Sequence, residues 1–161
     1  MSDKSVSTKA VVIERTFDAP VDLIWQLWTE AEHFKNWYGP NGFSIPVAEI
    51  DLRVGGTRLI CMASPDGSMK MWTTGEFLEV SPTQRIVYTE SMADENGNVL
   101  AESPMPGHPV TTEVTVELEN LDGKTKMKMT HAGIPADSPG ASGWNQAFDK
   151  LTDYAGTVHN K

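Results

Sequence analysis

The sequence predicts an α+β domain: an antiparallel sheet of six to seven strands with one face covered by a long C-terminal helix. Three observations carry this. Residues 10–17 have strand composition, stop before Pro20, and give way to apolar residues at helical spacing. Six strand-like segments then follow between residues 44 and 132, joined by short turns, which is the pattern of an antiparallel meander. The chain finishes in an amphipathic segment able to cover one sheet face.

The elements follow in order. Val11, Val12, Ile13, Thr16 and Phe17 mark the first strand. Pro20 is expected in the first helical turn, where its missing N–H costs nothing. Val21, Ile24, Trp25 and Trp28 then repeat at helical spacing. Thr29-Glu30-Ala31-Glu32 reads as a capping box, predicting a second short helix to about Trp37. Gly39, Pro40, Asn41 and Gly42 end it. Strands are predicted at 44–52, 57–63, 69–80, 85–92, 110–119 and 124–132, punctuated by Gly55-Gly56, Pro65-Asp66-Gly67, Ser81-Pro82 and Asp122-Gly123. Residues 94–109 are rich in Pro, Gly, Asn and acidic side chains and read as a loop. Residues 135–140 form a linker, and the last helix spans about 141–158. One domain over residues 10–158 is expected, after a loose tail over 1–9.

Composition narrows the function. The 161 residues carry a formal charge of −9, so no basic surface is available for nucleic acid. Lys124, Lys126 and Lys128 alternate and fit a solvated outer strand face. No apolar run approaches the roughly 18 residues of a spanning helix, so no membrane insertion is expected. The polar start has no signal-peptide core, and the single cysteine excludes an intrachain disulfide, which points to the cytoplasm. Cys61 lies mid-strand and reads as a buried, inert thiol. No phosphate loop, dinucleotide fingerprint, zinc-protease motif or nucleophile elbow is present, and His33, His108, His131 and His159 show no paired metal spacing. No cofactor is implied. The oligomeric state is open between monomer and homodimer.

With the elements in place, six segments in order resemble a known family. Phe17-Asp18-Ala19-Pro20 with Val21, Trp25 and Trp28 resembles the opening of activator-of-heat-shock-protein-90-ATPase-like (AHSA1-like) proteins. These belong to the START-like superfamily, also called SRPBCC or Bet v 1-like. Asn36-Trp37-Tyr38-Gly39-Pro40 is similar to the family's tryptophan-rich segment, and Asp51-Leu52-Arg53-Val54-Gly55-Gly56 to its arginine and paired glycines. Ser64-Pro65-Asp66-Gly67, the segment 75–82, and Gly143-Trp144 with Leu151 match its hairpin, central strand and terminal helix. The resemblance implies a helix-grip fold, a curved sheet gripping the C-terminal helix. For activity it implies a range: carriage of lipids or other small molecules, polyketide cyclisation, or chaperone activation.

The candidate site lies where the grip closes. From the helical side come Trp37, Tyr38, Trp144 and Phe148. From the strands come Met62, Trp72, Phe77, Tyr88, Glu90, Met92, Met129 and His131. Ile86, Tyr88, Glu90 and Met92 share one parity; Met127, Met129 and His131 share another, opposite the three lysines. Methionines suit a cavity of adaptable shape, or simply a core packed on the last helix. His131 fits either a ligand contact or a core histidine. Glu90, if inward, requires a partner from His131, Tyr88, Arg58 or water. If both face inward, they form a polar pair able to orient a ligand or exchange a proton. Trp37, Tyr38 and the loop 94–109 would border an entrance. Three functions follow: binding of a hydrophobic or aromatic small molecule, regulation of a chaperone partner through the surface, or cyclase- or hydrolase-type catalysis, with catalysis the least supported.

Overall fold

The computed structural model of the chain describes residues 10–102, 109–134 and 139–159. The expected tail, part of the 94–109 loop and most of the 135–140 linker lie outside the described residues. The elements run β1 (Ala10–Phe17), α1 (Val21–Thr29), α2 (Ala31–Phe34), β2 (Ser44–Ile50), β3 (Thr57–Ala63), β4 (Lys70–Ser81), β5 (Arg85–Ala93), β6 (Thr111–Leu121), β7 (Lys124–Ala132) and α3 (Pro139–His159). All seven strands form one antiparallel sheet in the order β1-β7-β6-β5-β4-β3-β2. The meander is consecutive from β2 to β7, and β1 returns to pair with β7, Ala10 opposite Ala132 and Phe17 opposite Thr125. This is the α+β helix-grip arrangement that the resemblance implies.

All three helix starts differ from expectation. Pro20 stands just before the first turn, with φ −69° and ψ 153°, and its carbonyl accepts from Leu23 N–H at 3.0 Å and Ile24 N–H at 3.2 Å. The capping box at Thr29 does not form. Thr29 is still helical, the last residue of α1, and its hydroxyl donates back to the Trp25 carbonyl at 2.8 Å. A residue in helical conformation cannot serve as an N-cap. Glu30, extended at φ −99° and ψ 123°, is the junction instead. α2 stops at Phe34, three residues short of Trp37. The last helix begins two residues earlier than expected, at Pro139, a residue suited to a first turn.

The sheet's inner face is set by register. Residues directly opposite on neighbouring strands share a face. Val11, His131 and Val114 align across β1, β7 and β6; Ile13, Met129, Val116 and Ile86 align one layer along. The same face continues through Tyr88 and Phe77 on β5 and β4. All are buried, whereas Lys124, Lys126 and Lys128 are exposed on the opposite side, as expected. Against this face α3 lays Trp144, Ala147, Phe148, Leu151 and Ala155, each buried. Trp28, Phe34 and Trp37 complete an aromatic cluster with Trp144 and Phe148, with ring centroids 4.8–6.4 Å apart. Trp37 has no exposed surface and donates its indole N–H to the Leu27 carbonyl at 2.8 Å.

One backbone approach shapes the sheet. At Gly75 an added Cβ would stand 1.8 Å from the Thr89 carbonyl oxygen. The β4–β5 register shifts between Phe77 and Glu79 just beyond it, so β4 bends over β5 where only glycine fits.

Candidate functional site

A cavity of about 310 Å³ opens between the sheet and the N-terminal half of α3. Its floor comes from alternate inner-face positions: Ile60 and Met62 on β3, Met71 and Thr73 on β4, Glu90 and Met92 on β5. Tyr38, Gly39 and Pro40, in the turn after α2, form one wall. Gly140, Gly143, Trp144 and Ala147 of α3 form another. His131 and Ile134 close the β7 end, Leu100 and Val110 of the connecting loop border the far side, and exposed Lys70 stands at the mouth. The wall at Tyr38 is tied to the helix by Lys150, whose ammonium donates to the Tyr38 and Pro40 carbonyls at 3.4 and 3.1 Å.

A hydrogen-bonded chain runs along the polar end of this cavity. The Trp144 indole N–H donates to His131 Nδ1 at 2.9 Å. Indole nitrogen is a donor only, so Nδ1 must be the acceptor and the ring proton sits on Nε2. The imidazole is thereby fixed as the neutral Nε2–H tautomer. Nε2 lies 2.6 Å from Thr112 Oγ1 and 3.6 Å from Glu90 Oε1. Thr112 passes its own proton toward the Glu90 carbonyl at 3.4 Å. On its other oxygen, Glu90 accepts from the Tyr38 hydroxyl at 3.1 Å. Burial, with the nearby Glu90 charge, raises the Tyr38 phenol well above its ordinary value. Glu90 and His131 therefore do meet on the inner face, with side chains 13% and 4% exposed. Among the described residues, the Glu90 carboxylate retains acceptor capacity beyond its bond from Tyr38.

Arg58 is the residue whose weight the sequence reading underestimated. It shares β3's inner face with Ile60 and Met62 and is 3% exposed. Its guanidinium lies over the Tyr88 ring at 3.8 Å and near the Phe34 ring at 5.3 Å. It makes no ion pair with Glu90. The parity that groups it with Ile60 and Met62 was readable; a charged residue in that series was the signal. Burial also raises the Tyr88 hydroxyl, which has no hydrogen-bond partner among the described residues.

The expected site residues divide into two layers. Tyr38, Met62, Trp72, Glu90, Met92, His131 and Trp144 border the cavity. Trp72 does so from an unexpected side: register sets it opposite Cys61 and Ala93, on the face away from Thr73 and Met92. Trp37, Phe77, Tyr88, Met129 and Phe148 stand behind the wall in the packed core. Cys61 is fully buried, and burial raises its thiol. Among the described residues, no group of three His, Cys, Asp or Glu side chains is placed to hold a metal, and no helix is long and apolar enough to cross a membrane.

A curved antiparallel sheet gripping a C-terminal helix, with a cavity left between them, defines the START-like class of α+β proteins. Within that class the chain belongs to the AHSA1 family, "Activator of Hsp90 ATPase homolog 1-like protein", whose model matches residues 18–156. A crystal structure of a Chromobacterium violaceum protein is similar at TM-score 0.76 and 25% identity, covering 91% of this chain and 96% of the other. A Nitrosomonas europaea protein matches at 0.75 and 24%, covering 93% and 96%. The AHSA1 protein of Silicibacter pomeroyi matches at 0.73 and 19%, covering 93% and 99%. No curated protein matches the chain.

Proposed function

We propose that the protein binds a small apolar or aromatic molecule in the cavity between sheet and helix. The observation that carries this reading is the cavity itself: about 310 Å³, walled by methionine, tryptophan and tyrosine, with Glu90 and His131 gathered at one end. Binding sites for small molecules have this make-up, an apolar wall and a few convergent polar groups, at roughly 300–1,000 Å³. The Met62, Met71 and Met92 side chains give the wall adjustable shape. Tyr38, anchored through Lys150, holds Glu90 in place to orient the ligand's polar end.

Gly143 offers a direct test. It lines the cavity from α3, and an added Cβ would meet only Pro40 Cγ at an ordinary 3.5 Å. Gly143→Leu should fill the cavity and keep the fold. Ligand-observed NMR with small aromatic compounds should show binding to the wild-type chain and loss of binding in Gly143→Leu. Binding that survives the plug would place the ligand elsewhere and overturn the reading.

The family match supports a second reading, regulation of a chaperone ATPase through the outer surface. The same variant separates the two: a surface regulator would retain its effect on Hsp90 ATPase turnover with the cavity plugged.

A further inference from the structure

Arg58 is a buried cation with neither an ion pair nor a side-chain hydrogen bond among the described residues. Stacking on Tyr88 and Phe34 offsets part of its desolvation, and an uncompensated buried charge is otherwise strongly unfavourable. The opposite charge of this compartment is Glu90. Arg58 is two residues from cavity-lining Ile60 on β3, and Tyr88 is two residues from Glu90 on β5, all on the inner face. The charges of Arg58 and Glu90 both act on the same two phenols, Tyr38 and Tyr88. His131 adds no charge, because the Trp144 indole N–H occupies its Nδ1. Among the described residues the polar end of the cavity is therefore electrically balanced: one carboxylate in the lining, one guanidinium a layer deeper and a neutral imidazole, with exposed Lys70 outside it at the mouth.

Resting on the small-molecule reading above, we propose that the cavity selects a neutral ligand: an apolar or aromatic body ending in a hydrogen-bond donor such as a phenol, alcohol or primary amide. Such a group donates to Glu90, whose carboxylate retains acceptor capacity beyond its bond from Tyr38. A carboxylate on the ligand would face Glu90 across little screening. An ammonium would add a second positive charge to a compartment that already holds the Arg58 guanidinium, unpaired among the described residues. Burial makes both penalties larger than at a surface.

Naphthol, naphthoate and naphthylmethylamine share one apolar body and differ in charge at neutral pH. Titrated by NMR into the full chain, naphthol should bind about ten-fold or more tightly than either charged analogue, the scale of one misplaced charge. Glu90→Gln should move the preference toward naphthoate, and Arg58→Met toward the amine. If Arg58→Met does not fold, the Glu90→Gln arm still decides. Equal affinities for the three compounds, or an order unchanged in Glu90→Gln, would overturn the neutral selectivity and leave the cavity reading standing. Failure of all three to bind, or binding undiminished by Gly143→Leu, would remove the cavity reading itself.

Discussion

At the scale of single residues, the inner face is a set of polar groups whose cost is offset by particular neighbours. Trp144 illustrates this, because its ring fills the core while its N–H fixes His131. Trp144→Ala should cost about 3–5 kcal/mol by leaving an aromatic-sized void. Trp144→Phe keeps a ring and loses a buried hydrogen bond, for about 1 kcal/mol; urea denaturation of the two variants measures the difference. Tyr88 is the opposite case, a sealed hydroxyl with no partner among the described residues. Tyr88→Phe should leave stability unchanged or raise it by up to about 1–3 kcal/mol. Both buried phenols, Tyr38 and Tyr88, titrate higher in the folded chain than in the unfolded one. Their stabilising contribution is complete below the unfolded value of about 10 and is lost as pH rises past it toward the folded values. Lys150 runs the other way, since burial lowers it and the folded state gains as pH approaches the unfolded lysine value. Denaturation at a series of alkaline pH values should show a net fall in stability, shallower in Tyr88→Phe. Strand parity grouped Glu90 with Ile86 and Tyr88 and His131 with Met129, but left open whether the two faced inward. The Trp144–His131 bond was not legible, because it joins a helix to the end of an interior strand and no local pattern encodes that approach.

At the scale of elements, the strands and the terminal helix could be read because each is specified locally, by alternation, by turn residues and by a helical apolar stripe. β3 and β7 begin and end where composition places them. The α1–α2 junction could not, since a Thr-x-x-Glu spacing fits a capping box equally when threonine is the last residue of the previous helix. Which applies depends on where α1 stops, and that is set by packing of Trp28 and Phe34 in the core. Two glycines, Gly75 in β4 and Gly143 in α3, should answer oppositely to the same change. Gly75→Ala drives a methyl into the Thr89 carbonyl and should cost at least about 1–3 kcal/mol by forcing β4 off β5. Gly143→Ala adds a methyl in a helix with room for it and should stabilise by about 0.5–1 kcal/mol. Thermal melts of the pair test whether the sheet bend and the helix face are constrained as described.

At the scale of the whole molecule, the cavity is a consequence of how the two ends of the chain meet. β1 pairs with β7 and α3 crosses the sheet, so the core is dense where Phe17, Met127, Phe148 and Leu151 are packed together. At Gly140 and Gly143 the helix wall has no side chain beside Trp144 and Ala147, and the sheet contributes Met62, Met71 and Met92 to the lining. Space is left there by glycine on one wall and kept adaptable by methionine on the other. On the proposed reading, packing energy given up there is what a bound ligand would restore. A ligand at one hundred times its dissociation constant should stabilise the wild-type chain by about 2.7 kcal/mol, because it binds only the folded state. Gly143→Leu should begin more stable than wild type, through helix propensity and a filled cavity, and should show no further rise with ligand. If instead the plugged variant is less stable than Gly143→Ala, the space at α3 is already too tight for a side chain, and the glycines there serve close packing rather than a binding cavity.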